Sequence, residues 1–134
     1  MINVLIMTHG GLAEGVCDSA AMILGQQKGL EWLSFEMDWS LDKLVAELLA
    51  HLDSYDRDDP VLVLLDVFGG TPSNAIALAL GGGRDLYAVT GVNLPMLLEV
   101  LTNRDGIGSP EELVRVAVEA GKNGIIDVRA MLTE

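Results

Sequence analysis

Short apolar runs alternate along the chain with longer stretches in which apolar residues recur every three or four positions. Asn3 to Thr8, through Val4-Leu5-Ile6-Met7, has the pattern of a strand buried on both faces. Leu12 to Leu24 places Leu12, Val16, Ala20 and Ile23 at helical spacing. Leu30 to Glu36 alternates imperfectly, with Leu33 out of step between Trp32 and Phe35, and reads as a weaker second strand. Ser40 is placed to cap a helix whose Leu41, Leu44, Val45, Leu48, Leu49 and Leu52 form one stripe. Val61 to Leu65 is the clearest central strand. A small-residue helix from near Pro72 to Leu80 follows it, then a fourth strand from Leu86 to Thr90 and a helix beyond Leu94-Pro95-Met96. Ser109-Pro110-Glu111-Glu112 combines an N-cap, a proline at the first helical position and a glutamate three residues on. Gly124 to Arg129 predicts a fifth strand.

Alternating strands and helices at this spacing predict an α/β fold, a parallel sheet covered on both faces. Right-handed crossovers leave few topologies, among them the doubly wound, flavodoxin-like order 2-1-3-4-5. In that order the switch point falls between the first and third strands, and the loops after them flank one crevice. His9 ends the first strand and Asp66 ends the third, so the two converge.

The length of 134 residues predicts a single domain spanning 1–134. Half of the residues are apolar, yet Trp, Tyr and Phe occur only twice each, so Leu, Val, Ile, Ala and Met must build the core. No apolar run approaches the ~20 residues of a membrane helix, and Met1-Ile2-Asn3 lacks the basic start of a signal peptide. One cysteine, Cys17, excludes an internal disulfide and fits a reducing cytoplasm. Eight Lys and Arg against 20 Asp and Glu give a net charge of −12, which repels nucleic acid and anionic membranes.

Imidazole is nucleophilic and titrates near pH 6.5, so His9 is the first candidate for chemistry at neutral pH. A carboxylate such as Asp66, bonded to one ring nitrogen, fixes the tautomer and turns the other lone pair outward. Asp66 alone reads equally as a turn residue; the pair is more specific than either member. Gly69-Gly70-Thr71-Pro72-Ser73-Asn74 offers an anion site, with glycines admitting close approach, a helix start presenting free amides, and hydroxyls on Thr71 and Ser73. The same residues also suit a plain helix start, with Thr71 as the cap. No phosphate-loop or dinucleotide signature is present, Ser73 lacks a hydrolase elbow, and positions 9, 17 and 51 have no metal-ligand spacing. Cys17 reads as a small core residue and His51 as a solvent-facing helix residue. Leu94 and Met96, on the loop after the fourth strand, are candidate partner contacts, with packing beneath their own helix as the alternative.

Three ordered segments, Met7-Thr8-His9-Gly10-Gly11-Leu12-Ala13-Glu14-Gly15, Leu65-Asp66-Val67-Phe68-Gly69-Gly70-Thr71-Pro72-Ser73-Asn74-Ala75 and Gly91-Val92-Asn93-Leu94-Pro95-Met96-Leu97, carry a resemblance. Together with Ile125-Ile126-Asp127-Val128-Arg129, they resemble the enzyme IIA component of the mannose, fructose and sorbose type of the phosphoenolpyruvate-dependent sugar phosphotransferase system. Val67 and Ser73 stand where Leu and Phe are common.

The resemblance implies a cytoplasmic phosphocarrier in sugar uptake. His9 would accept a phosphoryl group on Nε2 from the phosphohistidine of HPr and pass it to a histidine of enzyme IIB, with Asp66 holding Nδ1. Thr8, Gly70, Thr71 and Ser73 would bind the phosphoryl group. It also implies a homodimer that exchanges an antiparallel last strand, and contact with the membrane only through the transporter complex. A phosphoramidate is already a high-energy donor, so no cofactor and no metal are expected. The alternatives are the phosphotransfer subunit of a dihydroxyacetone kinase, and a regulatory module switched by phosphorylation of His9.

Overall fold

A computed structural model describes residues 1–133. Its sheet is built from β1 (Asn3–His9), β2 (Leu30–Phe35), β3 (Val61–Leu65) and β4 (Tyr87–Val89), all parallel, in the order β2-β1-β3-β4. Alternate residues of each strand point to opposite faces. Val4 and Ile6 of β1 join Leu62 and Leu64 of β3 on one face, beneath α1 (Leu12–Leu24), α4 (Leu94–Asn103) and α5 (Pro110–Asn123). Leu5, Met7, Val63 and Leu65 join Leu44, Leu48, Ala75 and Ile76 on the other, beneath α2 (Leu41–Ser54) and α3 (Thr71–Gly81). A sheet covered on both faces explains why β1 and β3 are near-continuous apolar runs.

The expected caps form. Ser40 accepts from the Lys43 amide and Ser109 from the Glu112 amide. At the N-terminal edge of the sheet Arg104 is buried, donating to the carbonyls of Ile2, Lys28 and Gly29. It ties the entry of β1 to the turn before β2.

Three expectations change. Gly124 to Arg129 forms no fifth strand: residues 125–127 lack regular structure, and Asp127 caps a short α6 (Val128–Leu132) by accepting from the Ala130 amide. A strand needs a neighbouring edge for its amides and carbonyls, and among the described residues no strand pairs with the segment. The sheet therefore has four strands, and Ile125, Ile126, Val128, Met131 and Leu132 stand exposed. The buried stripe of α1 is Ala13, Cys17 and Ala20, whereas Leu12 and Ile23 face outward. Both sets have helical spacing; the small residues win because they let the helix lie close on β1. His51 does not simply face solvent either. It is half-buried, its Nδ1 3.0 Å from Glu31 Oε1, and Tyr55 donates to the same oxygen at 2.6 Å.

Candidate functional site

The crevice at the carboxyl ends of β1 and β3 is assembled by turns that force the chain sharply out of the sheet. Gly10 at φ 55° and Gly69 at φ 91° take the left-handed conformation those turns require. Behind the crevice, the Gly91 and Val92 amides donate to the carbonyls of Asp66 and Leu65, binding the loop after β4 to the end of β3.

His9 and Asp66 meet as the topology predicts. Asp66 Oδ2 lies 2.8 Å from His9 Nδ1 and accepts from the His9 backbone amide at 3.0 Å; Oδ1 accepts from the Val67 amide at 2.9 Å. Burial opposes charge on Asp66, but these hydrogen bonds and the facing imidazole outweigh it and lower its pKa below the ordinary carboxylate value. The carboxylate is thus ionised at neutral pH and can only accept, so the ring proton belongs on Nδ1 and the Nε2 lone pair is free. The His9 side chain keeps 46% of its surface exposed while that of Asp66 keeps 14%. The imidazole is presented and its carboxylate partner is sheltered.

Gly70 closes on the free edge of the ring. A Cβ placed there would sit 2.9 Å from His9 Cε1, closer than real side chains approach, and a tight 3.3 Å from Nε2. Gly70, rather than Thr71, is the N-cap of α3, and no side chain caps that helix. The first-turn amides of Thr71 and Ser73 are therefore left without a capping side chain, and both residues are half-buried beside the crevice.

Two other expectations fail on burial. Thr8 is fully buried, and its hydroxyl accepts from the Ala13 amide at 2.8 Å, steering α1 instead of facing the crevice. Met96 is buried among the core residues of α4 and α5, leaving only Leu94 half-exposed; Asn93 caps α4 through the Met96 amide. The large apolar surface beside His9 lies elsewhere, in Phe68, Val67 and Leu12. The signal for it was present in the sequence: two apolar residues between a strand-ending Asp and a glycine pair have no core to enter. Among the described residues, no group of three or more His, Cys, Asp or Glu is arranged to hold a metal ion, and no helix is long and apolar enough to cross a membrane.

Residues 3–117 match the family EIIA-man, described as the PTS system fructose IIA component. The chain belongs to the mannose-type IIA family of the phosphotransferase system. The IIA chain is 36% identical over 133 residues to the mannose-specific EIIAB component of Escherichia coli K12, covering 99% of itself and 41% of that protein. It thus spans about two fifths of the length of that relative. It is also 35% identical over 105 residues to the fructose-specific EIIA component of Bacillus subtilis, covering 78% of itself and 72% of the relative. Its fold superposes on the crystal structure of phosphotransferase system component EIIA from Streptococcus agalactiae with a TM-score of 0.87 at 27% identity, covering 97% and 99% of the two chains.

Proposed function

We propose that residues 1–134 act as one IIA domain in the cytoplasm, whose His9 relays phosphoryl groups from HPr to enzyme IIB during sugar uptake. The observation that carries this reading is the 2.8 Å contact between His9 Nδ1 and Asp66 in a chain of the IIA family. The Nε2 lone pair attacks phosphorus as the donor's P–N bond breaks, and that bond's electron pair returns to the donor imidazole. The Nδ1 proton stays in place, shared with Asp66, whose negative charge steadies the imidazole as positive charge develops on it. The second transfer is the same step reversed onto a IIB histidine. Because one P–N bond replaces another, the protein's task is alignment and stabilisation of the equatorial oxygens. The amides and hydroxyls of Thr71 and Ser73 at the start of α3, with the space left by Gly70, suit that role.

Phe68, Val67 and Leu12 give docking proteins an apolar rim beside the nucleophile. The exposed Ile125, Ile126, Val128, Met131 and Leu132 support a homodimer in which a second copy covers the last segment and pairs it as a strand. Sedimentation of a monomer at micromolar concentration would remove that arm of the reading.

Incubation with phosphorylated HPr should label the protein on His9, and addition of enzyme IIB should discharge it. Asp66→Asn should slow both transfers about 100-fold without abolishing them, since geometry is disturbed and the nucleophile kept. A label that no IIB accepts would favour a regulatory role, and absence of any label would end the proposal.

A further inference from the structure

The geometry points to Phe35 as a positioning residue that fixes the tilt of the His9 ring for phosphoryl transfer. This inference rests on the reading of His9 as the acceptor. The contact between Nδ1 and Asp66 holds one corner of the imidazole, but a single hydrogen bond leaves the ring free to swing about it. In-line attack on phosphorus needs the Nε2 lone pair confined to a narrow direction. Phe35 supplies a second restraint. It is the register partner of His9 across β1 and β2, the two ring centroids lie 5.8 Å apart, and the planes meet at 75°. That edge-to-face geometry is favoured between aromatic rings and penalises rotation of either one.

Phe35 is itself braced. It packs against the core cluster that contains Leu33, Leu44 and Leu48, and its carbonyl accepts from the Gly10 amide at 2.9 Å, tying β2 to the turn directly after His9. Gly70 leaves the opposite edge of the ring open, where a Cβ would crowd Cε1. Asp66 and Phe35 thus hold two parts of one imidazole, and only Asp66 does so by hydrogen bonding. Phe35 carries no titratable group, so its contribution is orientation alone. As Nε2 forms its bond to phosphorus and the donor's P–N bond breaks, the pair returns to the donor nitrogen and the Nδ1 proton does not move.

The test compares Phe35→Leu and Phe35→Tyr with the unaltered protein, using phosphorylated HPr and the small donor phosphoramidate. Phe35→Leu should label about tenfold more slowly at saturating HPr, with an unchanged half-saturating concentration, and should slow by a similar factor with phosphoramidate. Phe35→Tyr, which keeps the ring, should stay within about twofold of the unaltered protein. Equal rates for Phe35→Leu and the unaltered protein would overturn the inference. So would a defect confined to HPr, because that would make Phe35 a docking residue. If thermal melting shows Phe35→Leu to be unfolded, Phe35→Met, which fills the space without a ring, is held to the same rates. An unaltered protein that takes no label from either donor is a different result, which removes the acceptor reading of His9 itself.

Discussion

The chain has two histidines, and each has a carboxylate oxygen close to Nδ1. His9 faces Asp66 at 2.8 Å and His51 faces Glu31 at 3.0 Å. Their surroundings are inverted. At the crevice the ring is 46% exposed and its carboxylate 14%; at the other pair the ring is 24% exposed and the carboxylate 44%. Asp66 is bonded by backbone amides at the end of a central strand, whereas Glu31 shares one oxygen between His51 and the hydroxyl of Tyr55. A glycine leaves room beside His9 Cε1 and Nε2, where a Cβ would crowd the ring, next to a helix start with no capping side chain. A His-carboxylate contact is therefore not a site by itself. An exposed ring, a sheltered carboxylate and room beside the ring separate the crevice pair from its counterpart, which fastens α2 to β2.

The largest expected difference follows directly. His9→Ala should take no label from phosphorylated HPr, while His51→Ala should label within about twofold of the unaltered protein, since no transfer geometry is lost. A label on the His9 variant, or its loss from the His51 variant, would reverse the assignment of roles. A smaller effect isolates the space around the ring. Gly70→Ala should fold with the His9–Asp66 contact kept, yet label roughly tenfold more slowly, because the new methyl crowds Cε1 and Nε2. An unimpaired rate would show that the crevice yields easily there.

The smallest effect concerns acid stability. Burial opposes the charge of Glu31, but hydrogen bonds from Tyr55 and His51 lower its pKa, and that of Asp66 is lowered likewise. A carboxylate whose folded pKa is depressed stabilises the protein above its unfolded pKa. That contribution disappears as the pH falls through the folded value, so the loss begins below about pH 5. Glu31→Ala should cost about 1 kcal/mol at neutral pH, the net worth of a typical hydrogen bond. Its melting temperature should then approach that of the unaltered protein as the pH falls below 4. Parallel melting curves across that range would show that Glu31 contributes no linked stability.

Legibility in the sequence followed the range of the interaction responsible. Leu12–Leu24 and the caps at Ser40 and Ser109 depend on residues a few positions apart and could be read locally. The meeting of His9 with Asp66, 57 residues apart, was readable because parallel strands and right-handed crossovers leave so few arrangements. Thr8 and Met96 turn inward, because position at the crevice does not decide which way a side chain points. The environment of His51 depends on how α2 lies over β2, and the ring contact of Phe35 on the register of two strands, neither of which periodicity supplies. Gly124 to Arg129 has strand-like composition, but among the described residues no ladder forms that would make it a strand.

Arg104 sets an order of events. Ile2, Lys28 and Gly29, whose carbonyls it holds, are synthesised before their shared donor, which lies 102 positions beyond Ile2. During synthesis β1 and β2 can pair well before then, but the base of the sheet stays unlatched until α4 has emerged. The crevice end of the fold is closed by contacts among residues 8 to 92, so a nascent chain can assemble that pole before the opposite one is locked.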